Sequence, residues 1–175
     1  MFAKYKIYND PYVSSFDYAL YGIIKGNISG RLGGDGQKTD FDLHTKGFKP
    51  LNAVLRWVIC CAQDASKGFA LDGGENHHND VNFSLNQFDF YDVWGVVYDK
   101  GEGVIKHNHF PHSLSFVYFV QAPEGSSPLI IENERIEAVE GRLVIFLSHQ
   151  FHSCPPARVD GRCSLVGNIR IVNFV

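Results

Sequence analysis

Apolar residues in this chain repeat with two different periods, and the change of period falls near residue 80. In the first part Val13, Phe16, Leu20 and Ile23 recur three or four residues apart, the spacing of one helical face. Asp10-Pro11 opens that helix well, a capping carboxylate followed by a residue with no N–H to satisfy, and Gly26 closes it. Residues 26–40 (GNISGRLGGDGQKTD) are glycine-rich and polar and read as a surface loop. No GK[ST] run or strand-GxGxxG-helix setting makes them a phosphate cradle. A second helix starts near Pro50, where Leu51, Val54, Leu55, Val58, Ala62 and Ala65 form one stripe ended by Gly68. That stripe predicts packing against a sheet.

From Val81 onward the period shortens. Short segments rich in β-branched and aromatic residues alternate with turn signals, predicting strands at 81–88, 92–99, 103–109, 113–121, 128–132, 135–138, 142–148 and 163–173. The turns fall at Lys100-Gly101, Pro123-Glu124-Gly125, Asn133-Glu134 and Glu140-Gly141. About eight short strands behind a helical segment predict a mainly β fold, a double-stranded β-helix (jelly roll, a cupin-like barrel) buttressed by helices. At 175 residues the chain reads as a single domain, helical over about 1–80 and jelly roll over about 81–175.

Composition narrows the function classes more than the fold. Hydrophobic content of 45%, charged content of 20% and a net charge of −3 describe an ordinary globular chain with no electrostatic case for nucleic acid or an anionic membrane. No apolar run is long enough for a signal peptide or a membrane span, which predicts a cytoplasmic protein. Cys60, Cys61, Cys154 and Cys163 lack CxxC spacing and read as reduced, mostly buried thiols.

The candidate chemistry lies in histidines. His107 and His109 stand at i, i+2, so from one strand both imidazoles reach the same side and can share a metal ion. His152 follows the apolar strand 143–147 and also falls at a strand mouth, completing a three-point set. Arg162 and Ser164, again i, i+2, open the last strand, where a guanidinium could pair with a carboxylate. The plainer alternative is a solvated HNHFPH loop and a surface arginine. His112 and His149 are near enough to compete as ligands, whereas His44, His77 and His78 read as surface residues.

These residues resemble the Fe(II)/2-oxoglutarate-dependent oxygenases, and most of all a small bacterial and phage group with an HxH…H…RxS pattern. Trp94 and Gly101 precede HNHF at 107–110, LSFVYFV occupies 114–120, EGRLVIFLSHQFH runs from 140 to 152, and GRCSLVGN covers 161–168. The resemblance spans roughly residues 92–170. It implies a jelly roll holding Fe(II) through His107, His109 and His152. It also implies 2-oxoglutarate with its far carboxylate on Arg162, assisted by Ser164 and by the Tyr118 hydroxyl. The reaction implied is oxidative decarboxylation of 2-oxoglutarate by dioxygen coupled to hydroxylation of an unidentified substrate, a peptide or small molecule. The chain departs from the pattern at His109, where most of the superfamily has a carboxylate. It departs again at Phe110 and Phe116, in place of proline and glycine, and at Leu147 and His149, in place of proline and tryptophan. A cupin-type metal protein that does not use 2-oxoglutarate is the alternative, although the glutamate expected shortly after HxH is absent.

Overall fold

The computed structural model describes residues 3–32, 36–70 and 88–172. In chain order it contains β1 (Tyr5–Asn9), α1 (Pro11–Ser14), α2 (Asp17–Gly26), β2 (Ile28–Arg31) and β3 (Gln37–Thr39). A single 3-10 turn at Leu43–Thr45 and the long α3 (Lys49–Ala70) follow. The remaining strands are β4 (Phe88–Tyr98), β5 (Val104–His107), β6 (Leu114–Gln121) and β7 (Leu129–Ile131). After them come β8 (Glu134–Ile136), β9 (Arg142–Leu147), β10 (His152–Cys154) and β11 (Arg162–Ile171). They form a seven-stranded sheet in the order β1-β9-β6-β11-β4-β3-β2 and a four-stranded sheet in the order β5-β10-β7-β8. This is the expected double-stranded β-helix with helices against one outer face.

The major sheet has two buried faces, which is why its strands read as nearly continuous apolar runs. Val93 and Val97 of β4, Leu114, Phe116 and Tyr118 of β6, Leu143 and Ile145 of β9, and Leu165 of β11 meet the helices. Leu20 and Ile24 of α2 and the predicted stripe of α3 complete that layer. Close approach of α2 needs a bare backbone at Gly95, because a Cβ there would sit 2.5 Å from Ile24. An extra residue, Tyr91, is accommodated in β4 opposite Asn168 and Ile169, so Phe88 and Phe90 also turn toward the helices. The alternate residues, among them Trp94, Val96, Tyr98, Ser115, Ser164 and Val166, face the minor sheet and enclose a cavity.

The N-terminal part differs from the sequence expectation. Asp10 caps a helix as predicted, accepting from the amides of Tyr12 (2.8 Å) and Val13 (3.3 Å), but that helix is one turn long and α2 starts afresh at Asp17. The region is also not purely helical, since β1 extends the major sheet beside β9. The polar stretch 26–40 includes the β2–β3 hairpin, which pairs with β4 at the other side of that sheet. Edge strands of this kind are held by backbone hydrogen bonds and carry little hydrophobic alternation to announce them. β10, inside the minor sheet between β5 and β7, was missed because three residues are too few to show an alternation. Positions 81–87 of the predicted strand 81–88, together with His77 and His78, lie outside the described residues; Phe88 belongs to β4. All four cysteines are free, and Cys61, Cys154 and Cys163 are buried. Among the described residues no helix is long and apolar enough to cross a membrane.

Candidate metal centre

The three predicted histidines converge. His107 ends β5 and His152 begins β10, and the two are direct partners across that antiparallel pair. His109 stands two residues beyond β5 in a loop, tied to the major sheet by its amide, which donates to the Ser148 carbonyl at 2.8 Å. One donor atom from each ring lies within 4.8 Å of the others, so a single cation can be reached by all three. The ring centroids are 4.3 Å apart for His107 and His152 and 4.9 Å for each pair with His109.

Tautomers follow from the backbone. His107 Nδ1 lies 2.8 Å from the Ile105 carbonyl and His152 Nδ1 lies 3.3 Å from the Gln150 carbonyl. A carbonyl only accepts, so each Nδ1 carries a proton, which leaves Nε2 as the nitrogen available to a metal. Phe146 packs against His152 at 4.8 Å, and the Trp94 ring stands edge-on to His109 at 5.9 Å, limiting ring rotation. Burial, aided by His107 next door, pushes the His109 pKa down to about 4 and that of His152 down to about 3. Both imidazoles are therefore neutral at ordinary pH, the state a metal ligand requires.

His149 is exposed and stands apart from the cluster, so it does not compete with His152. His112 stacks on Tyr91 at 4.3 Å. His44 is half-buried near Phe90 rather than on the open surface.

Arg162 and Ser164 face the same cavity as the histidines, as their spacing predicted. The cavity contains about 550 Å³ of space between atoms, part of it open to solvent. Arg162 is only 2% exposed. Its Nε donates to the Ser127 carbonyl at 3.0 Å, and its guanidinium lies between the rings of Tyr98 (5.0 Å) and Phe119 (5.1 Å). Among the described residues it forms no ion pair. Ser164 Oγ and Trp94 Nε1, on residues of the cavity wall, are buried without a hydrogen-bond partner among the described residues. A buried cation without a counter-charge is costly, and an orphaned hydroxyl beside it adds to the cost. An anion with acceptor oxygens, such as a carboxylate, would relieve both. The donor set therefore fits a metal held by three nitrogens and an acidic ligand reaching from it to Arg162.

The expectation for Tyr118 is corrected. Its side chain lies on the helix face of the major sheet, where its hydroxyl donates to Asp17 Oδ1 at 2.6 Å. One residue along a strand exchanges faces, so the position that meets Arg162 is Phe119, which offers a ring and no hydroxyl. Sequence reading missed Tyr98, Phe119 and the Ser127 carbonyl, the groups that hold the guanidinium. The shared phase of Ser115 and Phe119 on β6 was the available signal.

The sequence matches no family model and no curated protein, but solved structures share its architecture. A Pseudomonas putida prolyl-4-hydroxylase superposes with a TM-score of 0.69 at 18% identity, over 97% of this chain and 94% of that one. A viral collagen prolyl hydroxylase from Paramecium Bursaria Chlorella virus-1, solved with 2-oxoglutarate, gives 0.66 at 14% identity over 97% of both chains. The chain has the oxygenase fold. The non-heme alpha-ketoglutarate-dependent epimerase SnoN of nogalamycin biosynthesis shares it too, at 0.71 and 9% identity over 97% of this chain and 77% of that one. At such identities the oxygenase fold is what these likenesses establish, and the chemistry has to be argued from the site.

Proposed function

We propose that this protein is a non-haem Fe(II) dioxygenase that couples oxidative decarboxylation of 2-oxoglutarate to hydroxylation of a second substrate, a peptide or a small molecule. The observation that carries this reading is Arg162, a buried guanidinium with no carboxylate partner among the described residues, in the cavity that three clustered imidazoles enter. The likeness to 2-oxoglutarate oxygenases supports it from the side of the fold.

His107, His109 and His152 would hold the metal. When bound, the iron supplies the activation of dioxygen, oxidising 2-oxoglutarate to succinate and carbon dioxide and hydroxylating a C–H bond of the second substrate. The chain supplies orientation. Arg162 would take the far carboxylate in a charge-assisted pair, Ser164 would add a hydroxyl donor, and Tyr98 and Phe119 pack against the guanidinium and keep it away from water. Three neutral ligands leave the full metal charge uncancelled, which favours a chelating anion over water.

The cupin-type reading accounts for the histidines equally well but leaves a buried arginine with nothing to bind. An anaerobic titration separates the two. Fe(II)-loaded protein should develop a visible charge-transfer band on addition of 2-oxoglutarate, and admission of air should release succinate. Iron bound by the three histidines with no spectral response to 2-oxoglutarate would transfer the protein to the cupin reading.

A further inference from the structure

His107 and His152 are fixed by strand pairing, but His109 sits in a loop, and its position has to be set by something else. Four buried or half-buried polar side chains lie in line across the metal end of the major sheet. Asp92 is on β4, Asn168 on β11, Ser115 on β6, and Ser148 directly follows β9, so the line crosses four adjacent strands. Asn168 donates from its backbone amide (3.1 Å) and from Nδ2 (2.8 Å) to Asp92 Oδ1. Ser115 Oγ lies 2.7 Å from Asn168 Oδ1 and 2.8 Å from Ser148 Oγ.

Proton order in this line is determined by its acidic end. The Asp92 carboxylate only accepts, which turns the Asn168 amide nitrogen toward it and the amide oxygen toward Ser115. That oxygen accepts the Ser115 proton, and the Ser148 hydroxyl must then donate to Ser115. Every link has one sense. Ser115, Ser148 and Asn168 are each at most 2% exposed, where apolar side chains would pack at lower desolvation cost. What the line reaches is the histidine loop. Ser148 accepts the His109 amide at 2.8 Å, its own amide donates to the Ser113 carbonyl at 3.2 Å, and the Ser113 amide donates to Ile169 at 3.2 Å. Among the described residues, that carbonyl is the one backbone tie between His109 and the sheet.

We infer that Asp92, Asn168, Ser115 and Ser148 are positioning residues of the metal centre, holding His109 in reach of the cation shared with His107 and His152. The inference rests on the metal reading given above. It is tested by titrating metal-free protein anaerobically with Co(II), following affinity and the visible d–d bands, with the melting temperature measured in parallel. Asn168→Leu removes the two side-chain links at the centre of the relay, to Asp92 and to Ser115. Asp92→Asn keeps size and unpins the amide, and serves if Asn168→Leu folds poorly. Leu143→Ala, fully buried on the helix side of β9, is the control for lost stability alone. Both relay variants should bind Co(II) about tenfold more weakly and shift its bands, whereas Leu143→Ala should lose melting temperature at wild-type affinity and spectrum. Relay variants that melt early yet keep wild-type affinity and bands would overturn the inference and leave the line as core structure. Wild-type protein that takes up no Co(II) would remove the metal reading itself, and this inference with it.

Discussion

Two neighbouring residues on β6 separate the two faces of the major sheet. Tyr118 faces the helices, where its hydroxyl donates to Asp17 Oδ1 at 2.6 Å. Phe119 faces the minor sheet, where it covers a guanidinium that has no counter-ion among the described residues, near a serine hydroxyl with no partner among them. Both faces are largely buried, so burial alone does not distinguish them. The pairing of the groups at hand does: the Tyr118 hydroxyl and Asp17 satisfy each other, whereas among the described residues Arg162 has no carboxylate partner and Ser164 Oγ no hydrogen bond, and both line one cavity. Unpaired donors that share a cavity mark where a ligand belongs.

The comparison breaks most visibly at the histidines. His152→Ala should lower Fe(II) or Co(II) affinity by about two orders of magnitude or more, because two imidazoles cannot replace a three-point site, while His149→Ala should bind like wild type. Metal content after reconstitution and dialysis checks both, and loss in His149→Ala would mean that the coordinating ring was misassigned. The next effect is at Arg162. Arg162→Met should weaken 2-oxoglutarate binding to the metal-loaded protein by about a hundredfold, the loss of a desolvated charge pair, with metal affinity unchanged. Its second signature is stability. Ligand-free Arg162→Met should melt no earlier than wild type, since it removes a buried uncompensated charge, and only wild type should gain melting temperature when 2-oxoglutarate is added to the loaded protein. A ligand-free variant that melts much earlier would show that Arg162 is satisfied without a ligand.

The placement of the candidate site was as legible in the sequence as the core strands. His107, His109, His152, Arg162 and Ser164 line one cavity, because each falls at a strand end or on one strand face, and spacing of two residues fixes a common side. The strands of the double-faced core were equally visible, as apolar runs between turns. What stayed hidden was whatever the backbone alone decides. β1, β2 and β10 are short and paired through main-chain bonds, and Tyr91 adds a residue to β4 without any change in composition. Tyr118 failed for a related reason. LSFVYFV is apolar on both sides, so Ser115 alone hints at which phase turns toward the cavity.

The smallest effect is on the satisfied face. Tyr118→Phe should lower stability by about 1–3 kcal/mol near neutral pH, the cost of leaving a buried acceptor short of a hydrogen bond, without changing 2-oxoglutarate affinity. Asp17 gives this prediction a pH dependence. Burial raises its pKa from 3.8 to about 6, with the Tyr118 hydrogen bond pulling the other way and Glu140 adding to the rise. The folded chain thus holds this proton more tightly than the unfolded one. Its contribution to stability is complete below pH 3.8, declines as pH climbs toward about 6, and is level above that. Asp17→Asn should flatten the decline between those limits in denaturant melts taken across pH, since the amide cannot ionise. Tyr118→Phe should steepen it, because the phenol favours the carboxylate and its loss raises the Asp17 pKa further. A Tyr118→Phe protein with normal stability but weakened 2-oxoglutarate binding would place that hydroxyl in the cavity, and the two faces would no longer be distinguished by what their polar groups lack.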